Sequence, residues 1–137
     1  GMNYVLNPAS LFRMFQRMKR CFLEPDGLFI FDISTEYKLK ETIGNKTFIY
    51  SDDSLFYSWE NRYLETMRIS DMELTFFEKQ KNGSYRRFSE RHLQRAHRPE
   101  ELCRMLKKAG FSRVDCFSEL SLDAPKKEEE RMVFVAR

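Results

Sequence analysis

The sequence is poor in the residues from which metal centres, disulfide frameworks and phosphate-binding loops are built. Its three cysteines, Cys21, Cys103 and Cys116, are odd in number, widely spaced and form no Cys-x-x-Cys pair. They read as small buried hydrophobes in a reducing compartment. With only His92 and His97 beside them, no metal site is expected. The five glycines, Gly1, Gly27, Gly44, Gly83 and Gly110, stand apart from one another, so no run of them lets the backbone close around a ligand. No apolar run approaches the roughly 18 residues that a membrane helix needs, and no signal-peptide pattern is present, so a cytoplasmic location without membrane attachment is expected. Neither sign of charge dominates, with 24 basic against 21 acidic side chains and a net charge of +3. That balance gives little electrostatic drive toward nucleic acid. Arg86, Arg87, Arg91, Arg95 and Arg98, interleaved with Tyr85 and Phe88, could meet an anionic polymer. Glu90 interrupts them, however, and a solvated strand face explains the row without a partner.

What is present is a globular composition. In 137 residues, 42% are hydrophobic and 15% aromatic, with thirteen Phe, enough for one domain with a real core or for an apolar surface that meets something else. The chain is organised around Leu28-Phe29-Ile30-Phe31-Asp32-Ile33. A strand apolar on both faces predicts cover on both faces, as in a parallel sheet flanked by helices. In open α/β sheets the ligand crevice lies beyond the carboxyl ends of such strands, which directs attention to the segment from Asp32 to Tyr37. Asp32 could equally cap the strand end or a turn.

Asn7-Pro8 supplies an N-cap and a first helical residue, and Leu11, Met14, Phe15, Met18 and Phe22 form one apolar face. Pro25 and Asp26-Gly27 end that helix before the core strand. From about residue 34 to 96 the period falls to two. Thr47–Tyr50, a segment holding Leu55, Tyr57 and Trp59 on one face, Thr66–Lys79 and Tyr85–Arg95 predict an antiparallel sheet of three or four strands, with a hairpin at Asn82-Gly83. Pro99 and two glutamates open a second helix with a stripe of Leu102, Met105, Leu106 and Ala109, which Gly110 stops. Phe111–Phe117 and Arg131–Val135 predict two final strands around a charged loop.

Taken together, Leu23-Glu24-Pro25-Asp26-Gly27, Leu28-Phe29-Ile30-Phe31-Asp32 and Leu106-Lys107-Lys108-Ala109-Gly110-Phe111 resemble, in order and spacing, the C-terminal half of a class I S-adenosylmethionine-dependent methyltransferase. Asn3-Tyr4 resembles the tail of the Asp-Ser-x-Asn-Tyr segment ending that family's fourth strand. Asp26 stands where the family usually has a second Gly. The resemblance implies an α/β fold: a partial Rossmann-like sheet with flanking helices from residues 2–33 and 97–137, plus an inserted antiparallel β subdomain, residues 34–96, capping the substrate. The family's glycine-rich cofactor loop and its ribose-holding acid have no counterpart here. The expectation is therefore either part of a longer enzyme or a truncated relative, in both cases not active as this chain alone.

By the same resemblance, Asn3 and Tyr4 would lie at the S-adenosylmethionine crevice. Asp32, Tyr37, Tyr57, Trp59, Glu90 and Gln94 would line the pocket of a small-molecule substrate, and His92 is the candidate general base because its ordinary pKa lies near neutrality. Each has a plainer alternative: Glu90, His92 and Gln94 as the polar outer face of a half-buried strand, Trp59 as core, Asn3 and Tyr4 as a frayed terminus. A second class of function is a non-catalytic dimerisation or ligand-binding module. A core strand lacking a neighbour would expose an edge, and a homo-oligomer through that edge or the N-terminal helix is expected.

Overall fold

Asn7 starts the first helix as its spacing predicts: its Oδ1 accepts the N–H groups of Ala9 at 2.8 Å and Ser10 at 3.4 Å, with Pro8 in the first helical position. In the computed structural model, which describes residues 1–137, this helix α1 (Pro8–Arg17) runs on through a wider turn to Phe22. Helix α2 (Pro99–Ala109) ends at Gly110, whose φ of +108° is the left-handed conformation that glycine adopts without strain. Both helices pack on one face of a three-stranded sheet made of β1 (Phe29–Ser34), β6 (Val114–Ser118) and β7 (Arg131–Ala136). Phe15, Phe29, Phe31 and Phe134 meet there, with the rings of Phe31 and Phe134 stacked 5.1 Å apart. Each such side chain contributes about 1.5–3 kcal/mol by leaving water.

Two expectations fail in this layer. The sheet contains no adjacent parallel strands: β7 lies between β1 and β6 and is antiparallel to both. Nor is β1 covered on both faces. Phe29, Phe31 and Ile33 are buried, whereas Leu28 and Ile30 are 53% and 58% exposed. A continuous apolar run records that a strand has two apolar faces, not what covers the second one. Ile30, Val133 and Val135 with Phe117, Leu120 and Leu122 border an open apolar hollow of about 480 Å³ on that side. The outer edge of β1 has no strand beside it. Cys21 also departs from expectation. It is exposed, while Cys103 and Cys116 are partly covered.

The second sheet holds β2 (Thr47–Ser51), β3 (Leu55–Leu64), β4 (Ile69–Lys79) and β5 (Tyr85–Arg95), antiparallel and in sequence order. Asn82 and Gly83, at φ +85°, turn the β4–β5 hairpin. Leu39, Ile43, Tyr63, Met72 and Ala96 form its separate small core.

A few polar contacts join the layers. The Asn3 amide donates to the carbonyls of Ser34 at 2.8 Å and Arg95 at 3.0 Å, and its oxygen accepts the Ser34 N–H at 2.9 Å. One side chain thereby ties the end of β1 to the end of β5. No helix of the chain is long and apolar enough to cross a membrane.

Candidate functional site

Cross-strand register decides which predicted residues meet. Trp59, Leu74 and Glu90 are neighbours across β3, β4 and β5, as are Asn61, Met72 and His92. Side chains alternate along a strand, so Tyr57, Trp59, Glu90, His92 and Gln94 share one face, with the β3 and β5 members about 10 Å apart across β4.

His92 is the centre of the polar part. Its Nε2 lies 3.3 Å from Glu90 Oε2, and its Nδ1 lies 3.3 Å from the Tyr4 hydroxyl, whose ring meets the imidazole edge-on at 5.9 Å. A carboxylate only accepts, so Nε2 carries the proton given to Glu90, and in the neutral ring Nδ1 is left to accept from Tyr4. Both contacts, at 3.3 Å, are long for hydrogen bonds. In that neutral form the imidazole lone pair is directed at the Tyr4 phenol rather than at open space. Asn3 places that phenol, because its neighbouring amide is pinned between β1 and β5.

The apolar part is a row of rings. Tyr50, Tyr57, Phe76 and Phe88, one from each strand, follow one another at 5.3, 5.5 and 4.9 Å, and Phe48 lies against Trp59 at 5.2 Å. The Trp59 indole nitrogen is buried without a hydrogen-bond partner. Trp59 also packs on the small core beneath, which is the plainer of the two roles expected for it.

Two predicted residues lie elsewhere. Asp32 is held in an ion pair by Arg131, which also reaches Glu119 at 3.2 Å. Tyr37 borders a small cavity of about 150 Å³ with Thr35, Glu36, Arg68 and His97. Glu36 accepts from Tyr63 at 2.9 Å and from Arg68 at 3.0 and 3.3 Å. Burial pushes its carboxyl up, but the bonds from Arg68 and Tyr63 outweigh that and leave it below the usual glutamate range. His97 is 3% exposed, and its Nε2 has no partner. Burial, helped by the Arg95 charge, holds it below the ordinary histidine range.

Sequence reading missed this second group. Glu36 falls within the segment that the strand-end rule singled out, but nothing local marks its partners, which are 27 and 32 residues away. The arginines of β5 are engaged one by one: Arg91 grips Asp71 through two bonds of 2.8 Å, Arg86 pairs with Glu78 at 2.9 Å, and Arg87 lies over the Phe77 ring. Asp71, also bonded by Arg62 at 3.1 Å, floors a polar hollow of about 540 Å³ on the opposite face of this sheet.

No protein-family model matches the chain. It is 29% identical over 137 residues to a provisionally named methyltransferase of Geobacillus sp. (strain WCH70), covering 100% of this chain and 55% of that protein. The crystal structure of a S-adenosylmethionine-dependent methyltransferase from Clostridium acetobutylicum ATCC 824 superposes on 100% of this chain and 54% of its own, with TM-score 0.89 and 31% identity. CalS10, an amino pentose methyltransferase from Micromonospora echinaspora, matches in fold, with TM-score 0.69 and 15% identity over 99% of this chain and 54% of that one. The chain thus spans about half the length of the relatives it matches.

Proposed function

From its homology to S-adenosylmethionine-dependent methyltransferases, along its whole length and about half of theirs, we propose that this chain is the C-terminal, substrate-facing part of such an enzyme and acts on a small molecule. The observation that carries the reading is the superposition of the entire chain on the Clostridium enzyme. The likeness to an amino pentose methyltransferase is a likeness of fold, and it suggests an amine-bearing molecule of similar size as the first substrate class to try.

S-adenosylmethionine supplies an electrophilic methyl group to such a reaction. The residues present fit that cofactor poorly by themselves. The two glycines with positive φ, Gly83 and Gly110, turn a hairpin and end a helix, which leaves no backbone cradle for a nucleoside. In this reading the cofactor is held mainly by residues that this chain does not contain. Tyr4 borders the cofactor crevice, with Asn3 fixing its position. Residues 34–96 form the cap, Tyr57 and Trp59 supply an apolar wall, and Gln94 a polar rim. A nucleophile placed against the Tyr4 hydroxyl loses its proton through the phenol to His92, whose other nitrogen is oriented by Glu90. Asp32 and Tyr37 lie at the margin of this site.

Titration of S-adenosylmethionine into this chain by calorimetry is expected to give no heat of binding at micromolar concentrations. Binding and methyl transfer to small amines are expected when a polypeptide equivalent to the unmatched half of the Clostridium enzyme is supplied with it. In that complete protein His92→Gln should lower kcat by 10²–10⁴ and leave KM for the cofactor unchanged. Micromolar binding by the chain alone, or full activity of the His92 variant, would contradict the assignment.

A further inference from the structure

The edges of the four-stranded sheet are built differently. The β5 edge carries Arg86, Arg87, Arg91 and Arg95, the charged side chains with which an exposed edge avoids pairing. The β2 edge, Thr47-Phe48-Ile49-Tyr50-Ser51, carries no charge and no proline, and every one of its residues is exposed, Ile49 to 68%. An uncharged, exposed edge rich in aromatic and β-branched residues is a template for another strand.

The hydrogen-bond pattern gives the partner's register. Lys46 accepts from the Asn61 N–H, and the Asp52 N–H donates to Leu55. Residues 46 and 52 therefore face β3, and so, by alternation, do Phe48 and Tyr50. The N–H and C=O groups of Thr47, Ile49 and Ser51 point outward. An antiparallel copy centred on Ile49 sets Ile49 opposite the partner's Ile49 and Thr47 opposite the partner's Ser51. All the outward groups then fall into hydrogen-bonded pairs. The next position on each side sets Lys46 opposite the partner's Asp52, a cation near an anion twice by symmetry, although within the chain Lys46 Nζ already donates to the carbonyls of Glu41 and Thr42 and the Asp52 carboxylate accepts from Tyr50, Ser54 and Leu55. On the ring-bearing face, Tyr50 comes beside the partner's Phe48, which extends the row Phe88, Phe76, Tyr57 and Tyr50 into the second molecule.

We propose that the β2 edge is a self-pairing surface, by which two copies of this chain join antiparallel about Ile49 into one continuous sheet. The occupant is a second copy because the segment is complementary to itself in hydrogen bonding, in ring placement and in the signs of its flanking charges. A symmetric pair of this kind closes on itself and leaves no open contact for a third chain along that edge. The proposal is independent of the methyl-transfer reading.

Sedimentation of the full chain at 10–100 μM tests it. The wild type is expected at twice the chain mass. Ile49→Lys and Ile49→Glu each place like charges face to face at the centre, and each is expected to sediment as a monomer, with the circular dichroism of the wild type showing that the fold is kept. Mixed in equal amounts, the two variants are expected to recover the dimer, because position 49 of one faces position 49 of the other. A monomeric wild type would overturn the proposal. Dimers of both single variants as tight as the wild type would place the interface elsewhere, and monomeric variants that stay monomeric on mixing would refute the register.

Discussion

Arg68 holds Glu36 through two nitrogens, at 3.0 and 3.3 Å, so a carboxylate just past the end of β1 is fastened to the turn between β3 and β4. Tyr63, buried to 5% exposure, completes the group by donating its hydroxyl to Glu36 Oε1, the oxygen that also accepts from Arg68 Nε. Glu36→Gln keeps the shape but removes the charge that both donors address. The expected loss is about 1–2 kcal/mol of unfolding free energy, moderated by the partial exposure of the carboxylate. Because the carboxyl lies below its ordinary value of 4.5, its stabilisation is complete above that value and is lost as pH falls through the depressed one. Thermal melts from pH 7 to pH 3 should show a steeper acid loss for wild type than for the variant. Parallel curves would mean that the ion pair is not linked to folding.

His97 gives the same direction of pH dependence in a higher window. Burial keeps its imidazole neutral, below the ordinary value of 6.5, whereas the unfolded chain takes up a proton there. Stability contributed by the neutral ring is therefore present above about pH 6.5 and declines as pH falls toward the folded value. His97→Phe fills the space without a titrating group. Its urea midpoint should change less between pH 7.5 and pH 5.5 than that of the wild type, and an unchanged difference between those two pH values would exclude His97 as its source.

Asn3→Ala removes three hydrogen bonds at once and leaves buried backbone groups of Ser34 and Arg95 unpaired. A loss of roughly 2–4 kcal/mol is expected. Hydrogen exchange offers a finer check, with the amide of Ser34 losing protection while amides in the middle of β4 keep theirs relative to the global stability. Uniform loss everywhere would mean that Asn3 matters no more than any other buried polar residue.

The thiols should separate by reactivity. Cys116 is pushed up to about 11 by burial, and Cys103 is raised for the same reason. The thiolate is the reacting form. Iodoacetamide at pH 7.5 should label the exposed Cys21 first, with the partly covered Cys103 and Cys116 labelled more slowly. Equal labelling of all three in native protein would be incompatible with the packing described.

The parts of the fold legible in the sequence are those set by local chemistry. Asn7-Pro8, Gly110 and Asn82-Gly83 each fix a backbone turn within four residues, and all three appear where expected. Alternation also placed Glu90, His92 and Gln94 on one side of a strand. What alternation could not supply is the neighbour: that Tyr4 reaches His92 across 88 residues, or that Arg131 occupies Asp32 across 99. The expected parallel sheet failed for a related reason. A residue's tendency to be buried can be read from its type, but the direction of the adjacent strand is settled by how the chain returns.

Ile30, Leu120 and Leu122, 58%, 100% and 85% exposed, bear finally on how a solution of this protein responds to heat. Apolar association is driven by entropy near room temperature and weakens on cooling. The chain on its own should remain clear in the cold and turn cloudy on mild warming, well below the temperature at which its helices melt, and it should clear again when chilled.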